Sequence, residues 1–294
     1  MASVFDFKSI QTHYPEAPSL SQFQARDGTS LSYRFYDSQE KDVVCILLHG
    51  SSAHGEYLHP LASYLSSQAA GLVYVPNIRG HYMSGASRGD CAYIGQLEDD
   101  LVDLILRMQL QSKKIFLIGH SSGGGLAIRY AGSKPQIPIE GYILLSPAIP
   151  RAPTMRQGTA GGWAQVHFLK LVFCLFLNAL GIRYFNHIKV ITFNKSEKDC
   201  NGTETIDYSF RLNNSLHPRY PYQNDIRALE NKFLVLIGSQ DEANDPDKYP
   251  EVMQTSDKTL QVIEGIQHLN IVCEPMVMQT SLNWIQKQRT LSKL

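Results

Sequence analysis

The chain has 294 residues, 43% of them hydrophobic, and its 27 Lys and Arg balance 27 Asp and Glu for a formal net charge of zero. Such a composition builds a sizeable core and excludes general disorder, and a balanced chain without a basic run offers no electrostatic footprint for nucleic acid. Five scattered cysteines (Cys45, Cys91, Cys174, Cys200, Cys273) without CxxC spacing suit a reducing compartment and exclude a disulfide framework or a zinc site.

The N-terminal stretch MASVFDFKSIQTHYPEAP lacks a basic segment leading into an apolar one, so the expected location is cytoplasmic. The N-x-S/T sequons at Asn194, Asn201 and Asn213 then read as chance. Leu20–Arg26 and Thr29–Asp37, joined by Asp27-Gly28, read as a hairpin. Six short apolar runs follow: VVCILL (43–48), GLVYVP (71–76), KIFLIG (114–119), GYILLS (141–146), FLVLIG (233–238) and TLQVI (259–263). Between and after them lie helix-length segments at Glu56–Ala69, Leu97–Gln111, Gly124–Gly132 and Pro275–Gln288. Buried runs alternating with helices predict a parallel sheet covered on both faces.

The gap from 147 to 232 far exceeds a usual connection of roughly 2–6 residues. It predicts an inserted subdomain at 150–222, splitting the core into 1–149 and 223–294. Within it, Trp163–Leu180 has 14 apolar residues of 18. His167, Lys170, Cys174 and Asn178 fall along one stripe of a helix drawn through it. A membrane span wants about 20 apolar residues and no mid-span charge. The expectation is therefore a mostly buried or lid helix with a narrow wet stripe.

The segment most informative about chemistry is KIFLIGHSSGGGLAIRYA, which sets Gly119-His120-Ser121-Ser122-Gly123 between a predicted strand and a predicted helix. That is the context of a G-x-S-x-G nucleophile elbow, whose tight turn leaves no room for side chains beside the serine. A second match, Gly85-Ala86-Ser87-Arg88-Gly89, has no strand entering it and no helix leaving it, so Ser87 is read as a loop serine. A serine needs a base, and the base needs an orienting group, here in the order Ser, Asp or Glu, His. His268 lies just after the last predicted strand, whereas His167, His187 and His217 fall in the insertion. Asp241 follows Gly238 at the same sheet edge, with Glu242 and Asp245 as alternatives. Backbone N–H groups of Ser122 and of Ser51, with Ser52 second to Ser51, are expected to form the oxyanion hole. His49 is read as a structural hydrogen-bonding residue; the five-residue spacing of His49, His54 and His59 suits no metal, and no metal or other cofactor is expected.

At these residues the chain resembles the α/β-hydrolase superfamily. The matching pieces are LLHGSS (47–52), NIRGHYMSG (77–85), GHSSGG (119–124), GSQDEAND (238–245) and IEGIQH (263–268), in family order. Within it the chain resembles the monoacylglycerol lipase/lysophospholipase-like, serine aminopeptidase-like branch, although Asn77 stands where that branch usually has Asp and Tyr82 where it has a small residue. The resemblance implies a mostly parallel eight-stranded sheet with helices on both faces and a mainly helical cap. The expected activity is hydrolysis of a small ester or lipid-like substrate at Ser121, Asp241 and His268. Trp163, Phe173 and Phe176 are candidate acyl-pocket residues, and the cap is also a candidate for peripheral membrane contact, without a strongly basic face to help it. Amide or peptide hydrolysis on the same residues is the alternative, with only Glu197, Asp199, Glu204 and Asp207 in the insertion to hold a substrate amino group. A non-catalytic binding protein is a third reading, disfavoured because no triad member is missing.

Overall fold

Six parallel strands and a two-stranded antiparallel flank build the main sheet in the computed structural model, which describes residues 5, 16–135, 137–156, 161–230, 232–254 and 259–291. The strands are β1 (Ser21–Gln24), β2 (Ser30–Tyr36), β3 (Val43–Leu48), β4 (Leu72–Pro76), β5 (Lys114–His120) and β6 (Gly141–Leu145). A smaller sheet holds β7 (Ala164–Val166), β8 (Lys189–Phe193) and β9 (Asp207–Ser209), and the chain returns to the main sheet at β10 (Phe233–Gly238) and β11 (Leu260–Ile263). The helices are α1 (His59–Ser67), α2 (Gln96–Arg107), α3 (Ser122–Gly132), α4 (Phe168–Ala179), α5 (Phe210–Ser215), α6 (Gln223–Arg227), α7 (Tyr249–Met253) and α8 (Pro275–Leu291).

The main sheet runs β1-β2-β4-β3-β5-β6-β10-β11. Every residue of β3, β6 and β10 is buried, as strands covered by helices on both faces require. The outermost strand β1 buries only Phe23 and turns polar residues to solvent, which blunts the open edge. From β3 the chain goes one way to β4 and the other way to β5 and β6, so the strand order reverses between β3 and β5. The crevice beyond the carboxyl ends of strands at such a reversal is where open α/β sheets bind ligands. Leu48 and Gly119 are register partners there, so the loops leaving β3 and β5 start side by side.

The segment between β6 and β10 adds the three-stranded antiparallel sheet to the helices expected of it. The predicted helix over Trp163–Leu180 is shorter, α4, because Ala164–Val166 pairs with Ile191–Phe193 instead. This segment is pinned to the loops after β3 and β4. Thr205 N–H donates to the Ser52 carbonyl at 3.1 Å and Ser209 N–H to that of Gly89 at 2.8 Å. Tyr208 Oη lies 2.5 Å from His81 Nε2.

The loop leaving β4 is held by a buried fork. Arg79 donates to Asp100 at 2.8 and 2.7 Å and to Asp27 at 2.9 and 3.2 Å. Nearby, Asn77 uses both ends of its amide: Oδ1 accepts from Gly55 N–H, and Nδ2 donates to Ser32 Oγ and to the Tyr82 carbonyl. Removing one member of a buried ion pair strands the other without compensation. Arg79→Met is expected to lower unfolding free energy by about 3–5 kcal/mol in urea denaturation. Adding Asp100→Leu in the same chain is expected to recover part of that loss.

Candidate active site

Ser121 sits between β5 and α3 with φ 54° and ψ −120°, a conformation that non-glycine residues rarely adopt. The turn can be this tight because its flanks carry no side chains. A Cβ on Gly119 would lie 2.3 Å from the Gly123 carbonyl oxygen, and one on Gly123 would lie 2.2 Å from that of Leu48 in β3. Ser121 N–H donates to the Leu145 carbonyl at 2.9 Å, and its carbonyl accepts from Ala148 N–H at 2.9 Å, so the turn is tied to the exit of β6.

Ser121 Oγ lies 3.0 Å from His268 Nε2, and His268 Nδ1 lies 2.7 Å from Asp241 Oδ2. An ionised carboxylate only accepts, so Nδ1 carries the proton and Nε2 accepts from the serine hydroxyl. The other oxygen of Asp241 accepts from the N–H groups of Ala243 and Asn244 at 2.9 and 2.7 Å. Burial pushes the Asp241 carboxyl up, but the neighbouring imidazole and these donors outweigh it and hold its pKa below the ordinary carboxylate value. This arrangement can take a proton from the serine hydroxyl and keep the resulting imidazolium oriented.

The two alternative acids are engaged elsewhere. Glu242 accepts from the backbone N–H of His268 at 2.8 Å, while Asp245 accepts from Asp247 N–H as the cap of a short helical turn. Ser87 is an exposed loop residue far along the chain from these contacts. Ser122 opens α3, where the first N–H groups have no intrahelical acceptor. Ser52 N–H donates to Tyr208 Oη at 2.7 Å, which leaves Ser51 as the residue of that loop that lines the cavity beside Ser121. His49 is wholly buried, with Nε2 accepting from Ile78 N–H and Nδ1 beside the Gly50 carbonyl.

Two further residues brace the imidazole, and no sequence pattern singled them out. His120 Nε2 lies 3.0 Å from the His268 carbonyl, which can only accept, so it donates there. Its Nδ1 then accepts from Tyr57 Oη at 2.7 Å, and Tyr57 in turn accepts from Gly50 N–H at 2.6 Å. Burial drops the His120 pKa to about 3, so the ring stays neutral and this directional chain persists. His120 lay inside the elbow motif, where the spacing drew attention to the serine alone; Tyr57 carried no signal.

Ser121 and His268 open onto a cavity of about 480 Å³, within the range of small-molecule sites. Its walls are mostly apolar and include Met155, Trp163, Val166, Leu171, Val190 and Ile191. Trp163 lines it, and its Nε1 donates to Ser51 Oγ at 3.2 Å. Phe173 and Phe176 do not: they are 44% and 62% exposed on the outer face of α4. The helix is turned the opposite way from the expected lid. Of its narrow stripe, Cys174 is buried, Asn178 Nδ2 donates to Asn186 Oδ1 and His167 Nε2 lies beside Thr192 Oγ1, while Lys170 is exposed. Leu171 and Cys174 pack with Val190, Phe210 and Ile188 on the inner side.

Among the described residues no helix is long and apolar enough to cross a membrane. The family model described as serine aminopeptidase, S33 (Hydrolase_4) matches residues 39–275. The chain is 26% identical to monoglyceride lipase of Rattus norvegicus over 273 residues, covering 87% of this chain and 84% of the rat protein. It is 24% identical to monoglyceride lipase of Saccharomyces cerevisiae, covering 96% of each. A crystal structure of a soluble variant of the Saccharomyces cerevisiae lipase with a substrate analogue superposes with a TM-score of 0.67 at 19% identity, over 93% of this chain and 96% of that one. The sheet, its strand order and a family match over most of the length identify the chain as a member of the serine aminopeptidase S33 family, on the α/β-hydrolase fold.

Proposed function

We propose that the protein is a serine hydrolase of carboxylic esters, acting through an acyl-enzyme on Ser121. The observation that carries this reading is the Ser121–His268–Asp241 hydrogen-bonded series at the edge of an apolar cavity. In the first half-reaction a bond forms between Ser121 Oγ and the ester carbonyl carbon. His268 Nε2 takes the hydroxyl proton and passes it to the alcohol as the carbon–oxygen bond to that group breaks. In the second half-reaction water attacks the acyl carbon, gives its proton to His268, and the carboxylic acid leaves as Ser121 regains a proton. Backbone N–H groups of Ser51 and Ser122 stabilise the oxyanion in both steps.

The makeup of the cavity supports an acyl substrate over a peptide amino terminus. None of the described residues lining it is Asp or Glu, whereas Arg129, Arg151 and Arg219 are among them. An ammonium group would meet cations rather than a carboxylate. Two acids behind the wall offset two of these cations: Glu98 pairs with Arg129 and Arg219 at 2.7 and 2.9 Å, and Asp225 with Arg219 at 3.0 Å. The relatives named monoglyceride lipase support an ester substrate, and the apolar cavity supports a medium or longer acyl chain.

The outer face of α4 supports action at a lipid surface. Phe168, Leu169 and Phe176 are 68%, 83% and 62% exposed, and Val172, Phe173 and Leu180 extend the patch. Exposed apolar patches of this kind mark interaction sites. Leu171 of the same helix lines the cavity, so the patch is continuous with the wall that receives the acyl chain.

A fluorophosphonate probe is expected to label Ser121, as mapped by mass spectrometry; Ser121→Ala should abolish labelling and lower turnover at least about 10⁴-fold. Labelling of Ser87 instead would overturn the assignment. In a series of methyl esters, kcat/KM should rise from acetyl to octanoyl, since each buried methylene contributes up to about 0.8 kcal/mol. Leu171→Ser should lower the octanoyl-to-acetyl ratio. Phe168→Ser with Phe176→Ser should leave that ratio unchanged while reducing sedimentation with phosphatidylcholine vesicles and hydrolysis of esters presented in them.

A further inference from the structure

A second, smaller cavity meets the large one at Ser121. Ser51, Ser121, Trp163 and His268 line both. Phe5 lines the small one, its ring stacked on the His268 imidazole with centroids 4.9 Å apart and planes at 17°, and its centroid 4.7 Å from that of Trp163. Phe5 is 3% exposed, and no sequence pattern marks it.

We propose that Phe5 is a specificity-determining residue that forms the wall of the leaving-group side. The inference rests on the reading of Ser121 as the nucleophile of an ester hydrolase. The acyl chain takes the large apolar cavity, so the alcohol oxygen lies on the other side of the reacting carbon. It must also lie next to His268 Nε2, which hands it the proton taken from Ser121. The small cavity meets both conditions. With Phe5 in place it holds about 10 Å³ of free space, room for about one water and for no bulky group. The same space suits the water that hydrolyses the acyl-enzyme. Phe5 thereby favours compact alcohols over bulky ones and keeps the imidazole face dry.

The test compares methyl octanoate with 2-naphthyl octanoate, which share an acyl group and differ in the bulk of the alcohol. In Phe5→Ala the ratio of kcat/KM for the naphthyl ester over the methyl ester is expected to rise about tenfold against the wild-type ratio. Phe5→Leu, which keeps an apolar side chain against Trp163, should give a smaller rise in the same direction, and Phe5→Trp none. The octanoyl-to-acetyl ratio, which reads the other cavity, should stay fixed in all three. An unchanged naphthyl-to-methyl ratio in both Phe5→Ala and Phe5→Leu, or an equal loss on both esters, would overturn the assignment. Failure of the wild-type protein to label at Ser121 would instead overturn the ester hydrolase reading, and this inference with it.

Discussion

The start of α3 approaches the ends of β3 and β5 more closely than any residue but glycine permits. With a Cβ on Gly123 only 2.2 Å from the Leu48 carbonyl, the helix could not seat where it does, and the turn holding Ser121 would open. Because it does seat there, Ser121 is held in a conformation that costs on the order of 1–3 kcal/mol. Its own backbone groups are bonded to Leu145 and Ala148, and α3, buried almost along its whole length, keeps the strained residue in place. The same approach sets the first N–H of α3 beside the loop leaving β3. A steric requirement of two glycines thus brings Ser121, the start of α3 and the loop after β3 together.

Around that fixed point the imidazole is held from several sides. Asp241 holds Nδ1, Glu242 accepts from the backbone N–H, and His120 donates to the carbonyl. The last contact runs on through Tyr57 to Gly50, so the loop after β3 and the loop carrying His268 share one hydrogen-bonded chain. Such bracing matters because a proton donor or acceptor must hold its geometry to within a fraction of an ångström to be effective. Two acidic neighbours with different tasks, one on the ring and one on the backbone, explain why the loop after β10 carries Asp241-Glu242 in succession.

The segment between β6 and β10 docks through Tyr208, Thr205 and Trp163 onto the loops after β3 and β4. The inner face of α4 packs Leu171 and Cys174 with Val190, Phe210 and Ile188. Phe168, Leu169 and Phe176 of that helix stay outside. For a globular protein in water this is a cost, since apolar area left exposed forgoes about 25 cal/mol per Å². At a lipid surface the same area would become a gain, and the cavity lined by Leu171 of the same helix adjoins it.

Local chemistry made much of the molecule legible from the sequence alone. Unbroken apolar runs such as FLVLIG and VVCILL identify strands buried on both faces, and the glycines around Ser121 identify the turn, because each pattern answers a requirement met within a few residues. Asp241 and His268 could be expected beside Ser121 because the strands before them end at one sheet edge, which chain order implies, and the three side chains do meet there. What tertiary structure decided are matters of which neighbour arrives. The periodicity of Trp163–Leu180 reveals which residues share a face but not which face is covered, so the buried side of α4, and with it the places of Phe173 and Phe176, came out reversed. The bond from Ser52 N–H depends on Tyr208 reaching across from β9, and the contacts of Tyr57 with His120, of Glu242 with the His268 backbone and of Phe5 with the imidazole join separate parts of the chain. No local pattern encodes such meetings, since each is fixed only when separate segments pack into the same space.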